Sequence, residues 1–460
     1  MPVARRSRTP RAVLILAHAR DRGAVTAARA LRRAGWRVGL GSSRADGGLA
    51  GASDAVHALH PVPRPSGEQG AFLRGLGAAL AEGRYDVVVG SGDDWMAALA
   101  HHRERLAATV AHPAAAVVAA GMDKLTLHRM AQDAGLATPA TRTLAPEPWQ
   151  EVALPVVVKN RRHWTPHHDR RHRIETAVCR TSAELERHLL AFASEHDEPV
   201  LQEPVDGVLS ALIGVVHEGR LTGRVQQVSP CVFPTPSGAS ARARTVPVDP
   251  VLAERCELLL GRLGWSGLVE LQFLVGRDGV HRLIDLNGRF FGSLALAEAA
   301  RPGLVDAGLR AGAGMPVPEL AAGRPGMRYQ WLPGDLRRAV QERRGGVVAD
   351  VLGSLRWGLG ARHSVADPRD PGPVLRLLAG RLLAEPTEVV TAPSAAHELS
   401  RDLQRHEALR RPQDRQGELV AEGGGHQDQQ GRGPDRFGVY GADGEAGQQR
   451  RGQQRESGAA

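Results

Sequence analysis

Apolar residues in this chain come in short unbroken runs, each followed by a stretch with helical spacing. Residues 13–17 (VLILA) form the first run, residues 26–34 carry apolar positions three and four apart, and residues 36–40 read as a second strand. The run YDVVVG at 85–90 is also continuous, and it stops at Ser91, Gly92, Asp93 and Asp94 before another helical stretch. Buried strands alternating with amphipathic helices predict a parallel sheet wound in the α/β manner over residues 1–120. The first strand is not followed by GxGxxG, which counts against a dinucleotide site.

The pattern changes after Gly121. A helix over 124–134 ends at Gly135, and Pro139 opens an extended stretch. Strands are expected at 155–159, 200–203, 211–217 and 220–228, then a helix at 252–263. Two further strands, 268–275 and 280–286, flank a turn at Asp278-Gly279. Strand pairs interleaved with helices predict an α+β domain over 121–334, and the Leu- and Arg-rich spacing beyond it predicts a helical extension over 335–410. Residues 411–460 are dominated by Gln, Gly, Arg and acids; they bury too little apolar surface to offset ordering entropy and are expected to be disordered.

A net charge of +9 invites a nucleic-acid reading, but its distribution removes it. Residues 1–12 hold four arginines and no acid, and residues 161–173 hold five against Asp169, so two short segments carry eight of the nine charges. Neither a recognition helix nor a stacking-aromatic pattern accompanies them, and no nucleic-acid partner is expected. No uncharged apolar run reaches membrane-spanning length, so no membrane partner is expected either. The apolar stretch after the first arginines is too short for a signal peptide. Three widely spaced cysteines, Cys179, Cys231 and Cys256, show no metal or disulfide spacing, and a cytoplasmic location is expected.

Composition then singles out particular residues. Of 59 Lys and Arg residues only two are lysines, Lys124 and Lys159, and Asn160 and Asn287 are the only asparagines. Arginine replaces lysine freely on a solvated surface, but not where a compact ammonium must meet a phosphate oxygen. Lys159 ends the strand PVVVK, at the edge of a core. On the strands VELQFLV and HRLIDLNGR, Asp285 and Asn287 share a face, and antiparallel pairing brings Gln272 beside them, with Glu270 also in register. Three oxygen donors on one sheet face suit Mg²⁺ or Mn²⁺ holding nucleotide phosphates, and Arg289 falls on that face again.

In this order, DKLTLHRMAQDAGLATP, PVVVK, VLQEPVDG, VELQF and LIDLNGRFFGSLALA resemble the ATP-grasp superfamily, in particular its carboxylate–amine ligases and carbamoyl-phosphate-synthase-like branch. The resemblance covers roughly residues 121–300. It implies a two-subdomain ATP-grasp fold after a Rossmann-like domain, with ATP and Mg²⁺ as cofactors. It also implies that Lys124 and Lys159 reach the ATP phosphates and that the hinge carrying Gln202, Glu203 and Val205 receives adenine. Gln272, Asp285 and Asn287 would be metal ligands, and Arg289, with Lys159, would stabilise the transferring phosphoryl group. The implied substrates are a small-molecule carboxylate and an amine, and a homodimer is compatible with it.

Two features depart from the family. The loop after Lys159, RRHWTPHHDRRHR, has no glycine where a glycine-rich flap is usual, and Asp285 stands where Glu is usual. The loop's His163, His167, His168 and His172 are either solvated or a metal cluster. For the acceptor, Arg242 and Arg244 in SARART stand where family members often hold a carboxylate or phosphate, though a solvated loop reads equally well. Asp93 and Asp94 lie at a carboxyl end of a parallel strand, where α/β domains place ligands. Ser293 either touches substrate or packs beside Gly292. A kinase acting on a hydroxyl and a non-catalytic ATP-binding module are the rival readings.

Overall fold

The computed structural model describes residues 11–65, 69–144, 149–162, 164–165, 176–194 and 198–382. The histidines of the 161–173 loop, residues 1–10 and the expected tail at 411–460 lie outside the described residues, as does 383–410 of the expected extension.

The first sheet is built from β1 (Ala12–Leu16), β2 (Arg37–Ser42), β3 (Ala58–Pro61), β4 (Val87–Gly90) and β5 (Thr109–Val110). It is parallel throughout, in the order β3-β2-β1-β4-β5. Helices α1 (Arg22–Arg33), α2 (Gly48–Gly51), α3 (Gln69–Gly83) and α4 (Asp93–His101) connect its strands. β1 and β4 are buried along their whole length, which is why they read as continuous apolar runs. Alternate residues serve two cores: Leu14 and Leu16 face one, Val13 and Ile15 the other. Asp93 and Asp94 occupy the first turn of α4, immediately past the end of β4.

Helix α5 (Ala115–Met122) leads into α6 (Lys124–Asp133). Asp123 caps α6, its carboxylate accepting from the backbone N–H groups of Leu125 and Thr126 at 3.1 Å each. A four-stranded antiparallel sheet follows, in the order β6-β9-β7-β8: β6 (Thr141–Arg142), β7 (Val156–Asn160), β8 (Ala177–Cys179) and β9 (Pro199–Gln202), with α7 (Ser182–Ser194) packed on β8. Residues 203–206 join β9 directly to the first strand of a larger sheet.

That sheet has seven strands in the order β14-β13-β10-β11-β12-β15-β16. They are β10 (Gly207–His217), β11 (Arg220–Phe233), β12 (Ala239–Val246), β13 (Gly267–Gly276), β14 (His281–Asn287), β15 (Arg328–Gln330) and β16 (Arg362–His363). Helices α8 (Pro250–Leu263), α9 (Leu294–Ala300) and α10 (Leu304–Gly312) lie between its strands in sequence. Both cores of the parallel sheet continue into it, one through Leu271 and Phe273, the other through Ala211 and Ile213. The SARART segment, for which a loop had been an equal reading, is part of β12. Its inward positions are Ala241, Ala243 and Thr245, too small to register as an alternating apolar strand.

After β15 come α11 (Leu332–Glu342), α12 (Val347–Gly358), β16 and α13 (Gly372–Leu382). Arg338 is fully buried here and bridges Asp335 at 3.0 Å, Glu342 at 2.9 Å and Asp350 at 2.7 Å. Charges taken out of water persist only when paired in this way.

Candidate active site

The described part of the site is assembled on β14 by residues arriving from the four-stranded and seven-stranded sheets and from the end of the parallel one. The ends of α6 and β7 are stitched together: the Lys124 N–H donates to the Arg161 carbonyl at 3.1 Å. Arg161 and Arg162 also both donate to Asp123, at 2.9 and 2.8 Å. This stitching brings the chain's two lysines to one place. Lys124, 1% exposed, donates its ammonium to Asp285. Lys159 donates to the carbonyl of Ile284 at 3.3 Å. Two ammonium groups thus meet consecutive residues of β14.

A bulge makes this possible. β13 and β14 pair Glu270 with Asn287, Leu271 with Leu286 and Gln272 with Asp285, and then Phe273 with Leu283, so Ile284 is left without an opposite residue. Its carbonyl accepts from Lys159. On the face shared by these strands, the Glu270 carboxylate accepts from the Asn287 amide at 2.9 Å and the Gln272 amide at 3.0 Å. Glu270 is 1% exposed, and burial pushes its carboxyl up to about 7, although Arg289, Asn287 and Gln272 pull the other way. Gln272 lies opposite Asp285 as expected, but Glu270 is the residue bonded to Asn287. Strand alternation put Glu270 on this face, and its burial marks it out.

The donor set fits a hard divalent cation. Two carboxylates, Glu270 and Asp285, and two amide oxygens, from Asn287 and Gln272, share one face. A buried carboxyl held near neutrality by desolvation is what a cation would relieve. Among the described residues no group of three or more His, Cys, Asp or Glu side chains is arranged to hold a metal ion, so the amide oxygens of Asn287 and Gln272 would have to complete this donor set.

Arg289 closes the other end. Its Nε donates to Asp93 at 3.0 Å, tying β14 to the first turn of α4. Burial works against its charge, but Asp93, Glu270 and Asp21 overcome this and hold the guanidinium more firmly protonated than usual. Asp94 beside it is bonded to His18 at 2.9 Å and to Arg64 at 3.4 Å. Burial raises its carboxyl, but these partners win and hold it below the usual range. Gly288, between Asn287 and Arg289, is required by close approach: a Cβ there would sit 2.0 Å from the Trp265 ring. Its carbonyl takes a hydrogen bond from His112, whose other nitrogen accepts from the Gly90 N–H at 2.8 Å.

The remaining expected residues fall in two groups. Gln202 donates to Thr141 Oγ1 at 2.8 Å, and the Glu203 N–H donates to Ala140 O at 2.9 Å, which holds the 203–206 hinge with half-buried Val205 between the sheets' connecting strands. His128, one turn after Lys124 on α6, bonds to the same Thr141 hydroxyl at 2.9 Å; burial, then Lys159 and Lys124, push its imidazole down to about 3. Sequence reasoning missed it, although its i+4 spacing from Lys124 was visible. The hydrogen bonds of Arg242 and Ser293 lead away from the cluster. Arg242 donates to Asp335 at 2.8 Å and to Ser354 at 2.8 Å, and Ser293 accepts from Gln227 at 2.9 Å. Arg244 is exposed on β12.

No protein-family model and no curated protein matches this chain by sequence. Solved structures do match by fold. A biotin carboxylase from Campylobacter jejuni, solved with an ATP analogue, superposes with a TM-score of 0.54 at 14% identity, over 70% of this chain and 74% of that one. An L-amino acid ligase from Bacillus licheniformis gives 0.53 at 15%, over 70% and 79%. The biotin carboxylase domain dimer of a 2-oxoglutarate carboxylase from Hydrogenobacter thermophilus, bound to MgADP, ADP and bicarbonate, gives 0.53 at 14%, over 70% and 74%. The chain shares the fold of these structures, in line with the ATP-grasp fold expected from its motifs.

Proposed function

We propose that this protein is a MgATP-dependent ligase that joins a carboxylate to an amine or a similar nucleophile. A carboxylate oxygen attacks the γ-phosphorus, the bond from that phosphorus to the bridging oxygen breaks, and ADP leaves. The nucleophile's nitrogen then attacks the acyl carbon, inorganic phosphate departs with the C–O bond electrons, and the nitrogen loses a proton to solvent. Such chemistry needs charge neutralisation more than acid–base groups.

The observation that carries this reading is the arrival of both lysine ammonium groups at Ile284 and Asp285, beside the Glu270–Asn287 pair. Lys124 and Lys159 would hold the phosphates, and Arg289, oriented by Asp93, would meet charge on the transferring group. Gln202, Glu203 and Val205 would line the adenine end at the hinge. Glu270, Asp285, Asn287 and Gln272 would hold the cation, which would supply positive charge against the nucleotide phosphates. The MgADP and bicarbonate in the neighbour's complex, and the ligase named as another neighbour, support cofactors and chemistry of this class. A homodimer belongs to the reading on the precedent of that domain dimer. Free, buried Cys179, Cys231 and Cys256 suit the reducing cytoplasm.

An ADP-release screen of carboxylic acids crossed with amino acids and other amines tests it. Release that needs both partners supports the ligase. A stable phosphorylated product formed from a hydroxyl compound would make it a kinase, and binding of ATP with no turnover across the screen would make it a binding module.

A further inference from the structure

A second cavity, of about 740 Å³, shares none of its lining residues with the cluster on β14. One wall comes from the C-terminal half of α1, another from α9, and a third from β16 and the segment that follows it to Arg369. Five guanidinium groups line it, from Arg29, Arg33, Arg324, Arg362 and Arg369, against two carboxylates, Glu298 and Asp367.

The acids are already committed to backbone. Glu298 accepts from the N–H groups of Gly303 and Val305 at 2.9 and 3.0 Å, capping α10, and Asp367 accepts from the Arg369 N–H at 3.0 Å. Arg29 is committed as well, to Asp370 at 2.7 Å and to the carbonyl of Val365 at 2.8 Å, and so builds the wall. Arg324 gives one nitrogen to the Ala299 carbonyl at 3.2 Å. Arg362 and Arg369 make no side-chain hydrogen bond or ion pair among the described residues, and Arg33 feels only the electrostatic pull of Glu298. These cations come from separate segments and line one hollow, where their like charges repel one another. Glu298 offsets part of the Arg33 charge, and solvent or a bound anion has to relieve the rest.

Volume and lining narrow the ligand. The cavity falls in the range of roughly 300–1,000 Å³ typical of small-molecule sites. Its apolar lining is alanine and proline, with no Phe, Tyr or Trp to stack a base, so recognition rests on charge and on guanidinium forks that pair with oxyanions. We propose that this cavity binds a small multivalent oxyanion carrying two or more phosphoryl or carboxylate groups, independently of the nucleotide site.

Calorimetric titration of the full chain with inorganic pyrophosphate and with citrate, metal-free and at constant ionic strength, tests this. At least one probe binds saturably, and Arg33→Glu/Arg362→Glu weakens it by about tenfold or more, the scale of losing charge-assisted bonds. The milder Arg33→Ala/Arg362→Ala variant moves it in the same direction, and both variants keep wild-type MgATP affinity. Pyrophosphate alone binding assigns a phosphorylated ligand; citrate alone assigns a polycarboxylate. The proposal is overturned if neither probe saturates, or if the variants bind as wild type. It also fails if binding is lost in Lys159→Ala, which puts the probe at the nucleotide lysines. A change in oligomeric mass with probe binding unaltered makes the hollow an interface between copies and likewise overturns it.

Discussion

Arg289 and Asp93 stand 196 residues apart in sequence, and their side chains meet at 3.0 Å, fastening the end of β14 to the parallel sheet's fourth strand–helix junction. Both are mostly shielded, at 19% and 14% side-chain exposure, so the carboxylate does more than a surface partner would. Asp93→Ala is expected to destabilise the protein by about 1–3 kcal/mol, the range for losing a hydrogen bond to a charged group. Urea denaturation at pH 7 reads this directly, and a change under 0.5 kcal/mol, within the range of ordinary surface substitutions at about ±0.5 kcal/mol, would show that Arg289 needs no such anchor.

Gly288→Ala tests whether the spacing between Asn287 and Arg289 depends on the Trp265 contact. The new Cβ has to displace a ring 2.0 Å away, and overpacking of this kind costs about 1–3 kcal/mol. The variant should lose that much stability and most of its ATP turnover. Retention of both would mean that the ring moves freely.

The cation face makes a comparative prediction. Glu270→Gln keeps the shape but removes a buried carboxylate, so Mg²⁺ should no longer strengthen nucleotide binding. Gln272→Ala removes a neutral donor at a more open position and should weaken the Mg²⁺ effect only a few-fold. Asp285→Asn and Asn287→Ala should behave like Glu270→Gln. ATP titrations with and without Mg²⁺ rank the four, and a larger loss in Gln272→Ala than in Glu270→Gln would reverse the assignment.

His112 gives the protein a pH-dependent stability. Burial, then Arg103, lowers its imidazole from 6.5 to about 3, and its acceptor nitrogen faces the Gly90 N–H. The unfolded chain takes up a proton below 6.5 that the folded chain refuses, so stability is complete above 6.5 and falls as pH drops toward 3. Between pH 7 and 5 this one group removes about 2 kcal/mol. His112→Gln, able to accept from Gly90 and donate to Gly288, should lack that loss. Equal losses in the two proteins over this interval would contradict the assignment.

Much of the candidate site, as a grouping of residues, was legible in the sequence. The scarcity of lysine marked Lys124 and Lys159, and the spacing of Asp285, Asn287 and Arg289 on one strand face gave the rest of the frame. Helix α6 was legible from its spacing and from Gly135 at its end, a local stop signal. The hidden parts depend on long-range geometry. The bulge at Ile284 sets which of Glu270 and Gln272 bonds to Asn287, and no turn residue encodes it. Arg242 reads equally as a substrate cation or a solvated loop residue, and nothing local announces its pairing with Asp335, 93 residues later. β12 stayed invisible because its buried face is made of small side chains.

In the proposed function, the two lysines brought together on β14 hold the phosphates of one nucleotide. Calorimetric titration of MgATP into wild type, Lys159→Arg and Lys159→Ala tests it most directly. The 9% exposed Lys159 has little room for a planar fork, so arginine keeps the charge but not the fit. Wild type should bind one MgATP per chain. Lys159→Arg should lose about 1–3 kcal/mol of binding free energy, the scale of a charge-assisted hydrogen bond, and Lys159→Ala at least as much. MgATP affinity identical in all three proteins would contradict the account.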